Sequence, residues 1–510
     1  ANAVNGIAYA FLEGSPLVVI TNRLADGLHE RVETQRLDHG RLLAPVCKWS
    51  AVIRPENAGE TALKALRIAA EERPGPVHLD VADDVGRRTA SGDPLPPGRE
   101  DPVVLPLYTF GNGCGPPGRG YGPGTSPPGT EKILSFMIRD LIARSERPVL
   151  IAGHGALRAG VGGSLAGLAE AWGAPVFTTM KAKGLMPEDH PLDAGVFLGS
   201  NLARDLLARA GLVATIGVDR GELSAGWVDF HVPVIDVRAV RAEVISWRTD
   251  YQVIADPAEA SRALCAAGPA GSWEQEEVQA WRRRVDAELA GGELCGETVA
   301  GEAVYQEGNP GEPRASRETG EQGRLTMTAL VASARRMFPA DGIVSCDVGV
   351  HCGLAAYLWP PRAGGSFFIT RGLTTMGFSL PAAIGAQLAC PGRRVLCLTG
   401  DGSFLMRLGE LETAVRLGLP IVIMVFSDRA LGVIRRQQEQ RGYLRRGVDF
   451  SPTDFAAVAA GFGAAGLKAG TRAELEAALE EAFRASDRPA VIQVEVDQDD
   501  VSRLGGILRG

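Results

Sequence analysis

One stretch constrains the fold of this chain more than any other: two buried strands joined by a glycine-rich turn and a single helix. Residues 394–428 read as an apolar strand over Arg394–Leu398, ending at Thr399, then a tight turn of Gly400, Asp401 and Gly402. A helix over Phe404–Leu417 follows, with apolar positions at Leu405, Leu408, Leu411 and Val415. Pro420 then restarts the chain as a strand over Ile421–Phe426, closed by Ser427 and Asp428. Strands joined by one helical crossover are usually parallel neighbours, and parallel sheets need helices on both faces. The same alternation recurs elsewhere. Leu17–Thr21 and Val77–Val81 read as strands around a helix over Thr61–Glu72. A helix over Ile133–Ser145 leads to a strand at Val149–Ala152, and Gly342–Cys346 reads as another strand. The expected fold class is α/β, with three doubly wound domains built on mostly parallel sheets.

Two stretches cannot build a core and divide the chain. Residues 111–130 are nearly all Gly, Pro and small polar residues, and residues 266–324 mix Gly, Pro and many Glu. The expected organisation is a first domain over 1–110, a Gly/Pro linker over 111–130, a central domain over 131–265, an acidic linker over 266–324 and a third domain over 325–510. The 510 residues carry 53 basic and 61 acidic side chains, a net charge of −8, which argues against nucleic acid or an acidic membrane as the main partner. No apolar run reaches the roughly 18 residues of a membrane span. The eight cysteines are scattered without a C-x-x-C pair, so a reduced, cytoplasmic setting is expected and a structural zinc site is not. Cys397, in an apolar run, and Cys352 read as packing thiols.

Asp401 and Asp428 close two strands that should lie side by side, at the edge where open α/β sheets bind ligands. Two carboxylates converging there suit Mg²⁺, which takes one or two carboxylates together with phosphate oxygens. Backbone N–H groups of the glycine turn would hold the phosphate. A G-D-G turn alone is common; the flanking strands and the closing S-D-R-A-L-G give it weight. Gly153, His154 and Gly155 after a strand offer a second, weaker turn of nucleotide-binding type.

With its context, this stretch resembles the thiamine-diphosphate-dependent enzymes, in the branch of the acetolactate synthase large subunits. The family signature is G-D-G followed one crossover later by Asn-Asn; here Ser427-Asp428 stands in that place, with Asp428 27 positions after Asp401 (428 − 401). The resemblance implies Asp401, Asp428 and the carbonyl of Ala430 as Mg²⁺ ligands, with Gly400, Gly402, Ser403, Leu431 and Gly432 around the diphosphate. Residues 371–382, RGLTTMGFSLPA, resemble a second family segment. That match implies that the Thr374 carbonyl accepts from the cofactor's amino group and that Met376 is the apolar wedge beneath the cofactor. DVGVH at 347–351 resembles a third segment, which brings Gly349, Val350 and His351 to the diphosphate; a His at a strand end is also a common structural hydrogen-bonder. Gln35 matches a pocket residue of a fourth loop, in which Thr34 replaces the family's Phe.

By this resemblance residues 1–110 are a pyrimidine-binding domain that starts part-way in, 131–265 the central domain and 325–510 the diphosphate domain. The implied reaction is decarboxylation of a small 2-oxo acid such as pyruvate with carboligation. A 2-oxo acid decarboxylase or related lyase, or a non-catalytic cofactor-binding fragment or paralogue, is the alternative. The implied cofactors are thiamine diphosphate and Mg²⁺, and the implied assembly a homodimer or homotetramer. Residues 214–227 do not match the stretch found in flavin-containing members, which argues against FAD. Gln437 stands where acetolactate synthases carry a pocket Trp. The family's catalytic Glu belongs upstream of Ala1, and Glu13, Glu30 and Glu33 read as solvated surface or loop carboxylates. Poor activity is therefore expected of the 510-residue chain.

Overall fold

The computed structural model describes residues 3–25, 37–85, 136–187, 189–197, 201–219, 221–223, 230–240, 247, 249–289, 325–359, 364–496 and 504. Among the described residues the named strands pair in parallel, and helices alternate with strands along most of the chain, as the α/β reading expects. The chain divides into two compact units, residues 1–122 with 371–373, and the remainder.

The first unit carries a three-stranded sheet in the order β1 (Leu17–Arg23), β3 (Pro76–Ala82), β2 (Trp49–Ile53). The helix Ala58–Ala70 lays Ala65 and Ala69 on Val77 and Leu79, a small apolar core that alternation along β3 dictates. The opposite face is polar. The Thr21 hydroxyl donates to Asp80 (2.6 Å) and lies 2.7 Å from Nε2 of the fully buried His78, whose Nδ1 lies 2.7 Å from the Ser50 hydroxyl. Because Thr21 gives its proton to Asp80, it accepts from His78, and Nδ1 is left to accept from Ser50. Burial holds the His78 imidazole below its ordinary pKa. Glu13 departs from the surface reading: it is buried, and its carboxylate accepts the backbone N–H groups of Arg371 and Gly372. Glu30, Glu33 and the pocket candidate Gln35 lie outside the described residues.

The second unit contains two six-stranded sheets. The central one runs β6 (Asp193–Val196), β5 (Val176–Thr178), β4 (Pro148–Ala152), β7 (Leu212–Ile216), β8 (Val234–Arg238), β9 (Tyr251–Ile254). β4, β7 and β8 are buried along their whole length, which is why their sequences are continuous apolar runs rather than alternating ones. Part of the stretch expected as an acidic linker is instead structured. Gln275–Leu289 is a helix whose Val278, Trp281, Val285 and Leu289 are buried along one face. Trp281 meets Phe177 edge-on at 5.4 Å. The charged residues between these four positions hide an apolar stripe of helical period. Residues 290–324, like the linker 111–130, lie outside the described residues.

The other sheet runs β11 (Phe367–Ile369), β10 (Ile343–Cys346), β12 (Val395–Gly400), β13 (Ile421–Ser427), β15 (Ala490–Glu495), β14 (Ala465–Ala469). β12 and β13 pair in register from Val395↔Ile421 to Gly400↔Phe426, the neighbour relation expected of one crossover. The crossover itself is two helices, Asp401–Met406 and Glu410–Arg416, broken at Arg407–Gly409, rather than the single helix expected from residue 404. Among the described residues no helix is long and apolar enough to cross a membrane, and Cys47, Cys265, Cys346, Cys352, Cys390 and Cys397 are free thiols.

Candidate active site

From β10 the chain steps outward to β11 and returns to β12 on the other side, so the sheet's switch point lies between β10 and β12. Asp347 continues β10 past Cys346 and donates its N–H to Leu398 of β12 at 2.9 Å. Gly400 ends β12, and Asp401 opens the helix that follows. Ser427 ends β13, and Asp428 comes next. Three strand ends therefore deliver 347–351, 400–403 and 427–432 to one rim.

Asp401 is 3% exposed. Its Oδ1 accepts the Gly402 N–H at 2.7 Å and its Oδ2 accepts the Arg429 N–H at 2.7 Å. Burial, and then the charge of Asp428, still push its carboxyl up to about 7, against those two hydrogen bonds. Burial pushes Asp428 up to about 6, against the Ala430 N–H and the Arg435 guanidinium. Two carboxyls raised by burial, one of them further by the charge of the other, are an arrangement that a divalent cation relieves. Among the described residues no group of three or more His, Cys, Asp or Glu is placed to hold a metal. A cation here would rest on two carboxylates and backbone oxygen.

The Ala430 carbonyl is the backbone oxygen expected in that role. Ala430 bridges Asp449 in antiparallel fashion, with Leu431 N–H donating to Val448 (2.7 Å) and Phe450 N–H donating to Arg429 (2.8 Å). In that kind of pair the residue's own N–H and C=O turn away from the partner. The Ala430 N–H accordingly donates to Asp428 Oδ1 at 3.3 Å, and the carbonyl shares that side. Arg429, between the two, has φ 57°, a left-handed backbone uncommon outside Gly. Its guanidinium is tied to Glu495 at 2.9 Å.

The second expected stretch meets the first. A Cβ on Gly402 would lie 3.1 Å from Met376 Cε and 3.2 Å from Leu431 Cδ2, so Met376 rests directly against the glycine turn. Thr374 is left-handed (φ 52°), and Gly377 has φ 81°. Left-handed non-glycine residues cluster at functional turns. His351 is buried and stacks on Phe426 (5.2 Å between ring centres), and a Cβ on Gly349 would fall 2.4 Å from its ring. Gln437 is exposed on the helix Gly432–Gln440.

Asp347, which opens the DVGVH segment, is not among the residues expected at the site. It is wholly buried and accepts from Val348, Gly377, Ser379 and Ser403. The available signal was an acidic residue directly after a buried strand, where only multiple donors can satisfy it. Because Ser403 gives its hydroxyl proton to Asp347, its backbone is what it has left to offer an anion.

The turn Gly153–Gly155 is occupied differently. A Cβ on Gly153 would lie 2.4 Å from Val218 Cα, and one on Gly155 2.8 Å from the Gly217 carbonyl. These glycines admit the chain's own backbone. The Glu222 carboxylate accepts the His154 N–H (3.0 Å), the Asp219 N–H (2.7 Å) and the Thr179 hydroxyl.

Residues 137–264 match the family model for the thiamine pyrophosphate enzyme central domain, and residues 347–494 match that for the C-terminal TPP-binding domain. A probable acetolactate synthase large subunit of Methanocaldococcus jannaschii is 30% identical over 97% of this chain and 79% of its own length. The acetolactate synthase large subunit of Parasynechococcus marenigrum is 30% identical over 97% and 75%. Isozyme 3 of Escherichia coli is 26% identical over 98% and 82%. On this combined footing the chain belongs to the thiamine pyrophosphate enzymes, in the branch of the acetolactate synthase large subunits.

Proposed function

We propose that the rim formed by β10, β12 and β13 binds thiamine diphosphate through Mg²⁺, and that the protein decarboxylates a small 2-oxo acid such as pyruvate with carboligation. The observation that carries this reading is the Asp401–Asp428 pair, two carboxyls raised to about 7 and about 6 at adjacent strand ends. Asp401, Asp428 and the Ala430 carbonyl hold the cation. Gly400, Gly402, Ser403, Leu431 and Gly432 flank the diphosphate, with Gly349, Val350 and His351 at the neighbouring strand end. Met376 would support the cofactor, and the Thr374 carbonyl would accept from its amino group. When bound, the cofactor supplies the electron sink for breaking the bond between carboxyl and carbonyl carbons. The chain's own share is to orient it, to neutralise the diphosphate charge through the metal, and to exclude water with Met376, Leu431 and Phe450. The domain reading, 1–110 for the pyrimidine, 131–265 central and 325–510 for the diphosphate, belongs to the same proposal, as do a homo-oligomeric assembly and a reduced, cytoplasmic setting.

Calorimetric titration with thiamine diphosphate, with and without Mg²⁺, tests the binding. Pyruvate turnover followed by ¹³C NMR tests the chemistry. Mg²⁺-dependent binding with a carboligated product is expected. Release of an aldehyde instead would assign a decarboxylase, and binding without turnover a non-catalytic paralogue. Binding indifferent to Mg²⁺ would overturn the site.

A further inference from the structure

Asp347 gathers five hydrogen bonds on one carboxylate. Oδ1 accepts from Val348 N (2.9 Å), Gly377 N (3.1 Å) and Ser403 Oγ (2.9 Å). Oδ2 accepts from Ser379 N (3.0 Å) and Ser379 Oγ (2.9 Å). The side chain has no exposed surface, so water does not compete for these donors. The donors come from three separate segments: the end of β10, the start of the helix Ser379–Ala389, and the first turn after β12. A carboxylate has about four lone-pair sites, so its accepting capacity is fully used.

The bond to Gly377 matters most. Gly377 closes a turn whose first residue, Thr374, is β-branched and left-handed, a conformation that persists only where surrounding contacts impose it. Met376, in the same turn, rests against Gly402. The carboxylate therefore pins the far end of the turn to the end of β10, and through Ser403 it pins the glycine-rich turn after β12 to the same point.

We propose that Asp347 is a positioning residue for the cofactor: its carboxylate holds the Thr374–Gly377 turn and Ser403 in one fixed relation, and so sets where the Thr374 carbonyl and Met376 meet the aminopyrimidine. This rests on the thiamine diphosphate reading above. It requires an acceptor on both oxygens. Asp347→Asn keeps the shape but turns an N–H₂ group toward donors on one side.

The test compares wild-type protein with D347N and S379A, each titrated with Mg²⁺–thiamine diphosphate and, separately, with Mg²⁺ and inorganic pyrophosphate. Near-UV circular dichroism follows the bound cofactor, and far-UV circular dichroism follows the fold. D347N should lose about tenfold to a hundredfold in thiamine diphosphate affinity, the range for a hydrogen bond to a charged group. S379A removes one donor and keeps Ser403 in place. It should weaken thiamine diphosphate about threefold to tenfold, change the dichroism of the bound cofactor, and leave pyrophosphate affinity as it was. If D347N does not fold, S379A carries the test alone. Wild-type affinity and dichroism in either folded variant would overturn the proposal, as would equal losses for thiamine diphosphate and pyrophosphate in S379A, the mark of general loosening. Wild-type protein that binds no thiamine diphosphate would overturn the functional reading, and this inference with it.

Discussion

The two six-stranded sheets carry the same local device, a glycine turn from the end of a buried strand into a short helix, and use it in opposite ways. At the end of β4 the device is closed by the chain itself. Backbone at 217–218 fills the space beside Gly153 and Gly155, and the Glu222 carboxylate takes the N–H groups an anion would need. At the end of β12 the neighbours of Gly402 are side-chain tips, and the carboxylates beside it repel one another. What distinguishes a structural turn from a binding turn is therefore what the rest of the chain puts opposite it. At β4 one carboxylate is shared among three protein donors; at β12 two carboxylates stand at adjacent strand ends, and the charge of one adds to burial in raising the other.

The largest test of this contrast is Asp401→Ala. Removing a proposed direct ligand should reduce Mg²⁺-dependent thiamine diphosphate affinity by more than about a hundredfold, beyond the range for residues that only orient a ligand. Calorimetry measures it, and near-wild-type affinity would break the contrast at its stronger end. Gly153→Ala should act oppositely. Its Cβ would fall 2.4 Å from Val218 Cα and 2.6 Å from the Gly217 carbonyl, backbone that cannot swing aside. A loss of about 1–3 kcal/mol in unfolding free energy follows, with cofactor affinity unchanged. Gly402→Ala meets Phe450 Cε2 at 3.0 Å and Met376 Cε at 3.1 Å, flexible tips that can yield. Its thermal midpoint should move less than that of Gly153→Ala, and its cofactor affinity more.

Glu222→Gln sharpens the comparison with a smaller change. The amide keeps one acceptor and turns a donor toward the Thr179 hydroxyl on one side or the His154 and Asp219 N–H groups on the other. Stability should fall by about 1–2 kcal/mol, measured by denaturant titration, while Mg²⁺ and cofactor affinity stay put. A drop in cofactor affinity would show that the central turn is not purely structural.

The strands around Asp401 and Asp428 are legible in the sequence because buried parallel strands are short continuous apolar runs, and because one crossover forces neighbours. Met376, Thr374 and His351 are marked only by motif resemblance, and nothing in local pattern predicts that Met376 reaches Gly402. The helix 275–289 is masked by Arg282, Arg283 and Arg284, which interrupt the apolar positions without breaking their period. The burial of Glu13 is hidden because its partners, the N–H groups of Arg371 and Gly372, lie more than 350 positions away along the chain. His78 likewise owes its burial to Thr21 and Ser50 on neighbouring strands. Motifs in one continuous segment were legible; polar residues satisfied by distant donors were not, since their burial is a property of the pairing.

The smallest effect concerns pH: burial raises Glu222 at the β4 rim as it raises the two carboxyls at the β12 rim, so what separates the rims is whether magnesium draws the protons off. Asp401 rises from 3.8 to about 7 and Asp428 from 3.8 to about 6 on folding without metal. A raised carboxyl stabilises the metal-free fold below its unfolded pKa, and that contribution is lost as pH climbs toward the folded value. Magnesium takes only the ionised forms, so binding must release the protons. Between pH 8 and pH 6, Mg²⁺-dependent cofactor affinity should therefore fall by about tenfold, one proton's competition on Asp401. The thermal gain on adding Mg²⁺ and cofactor should shrink in parallel. Burial keeps Asp401 raised, but Asp428→Asn removes the charge that adds to it, so proton release from Asp401 should shift to lower pH while Glu222→Gln leaves the profile where it is. Calorimetry in buffers of different ionisation enthalpy counts the protons directly; no proton release at pH 7 would mean the two carboxylates are already ionised in the free protein, and the rim at β12 would then be as satisfied as the rim at β4.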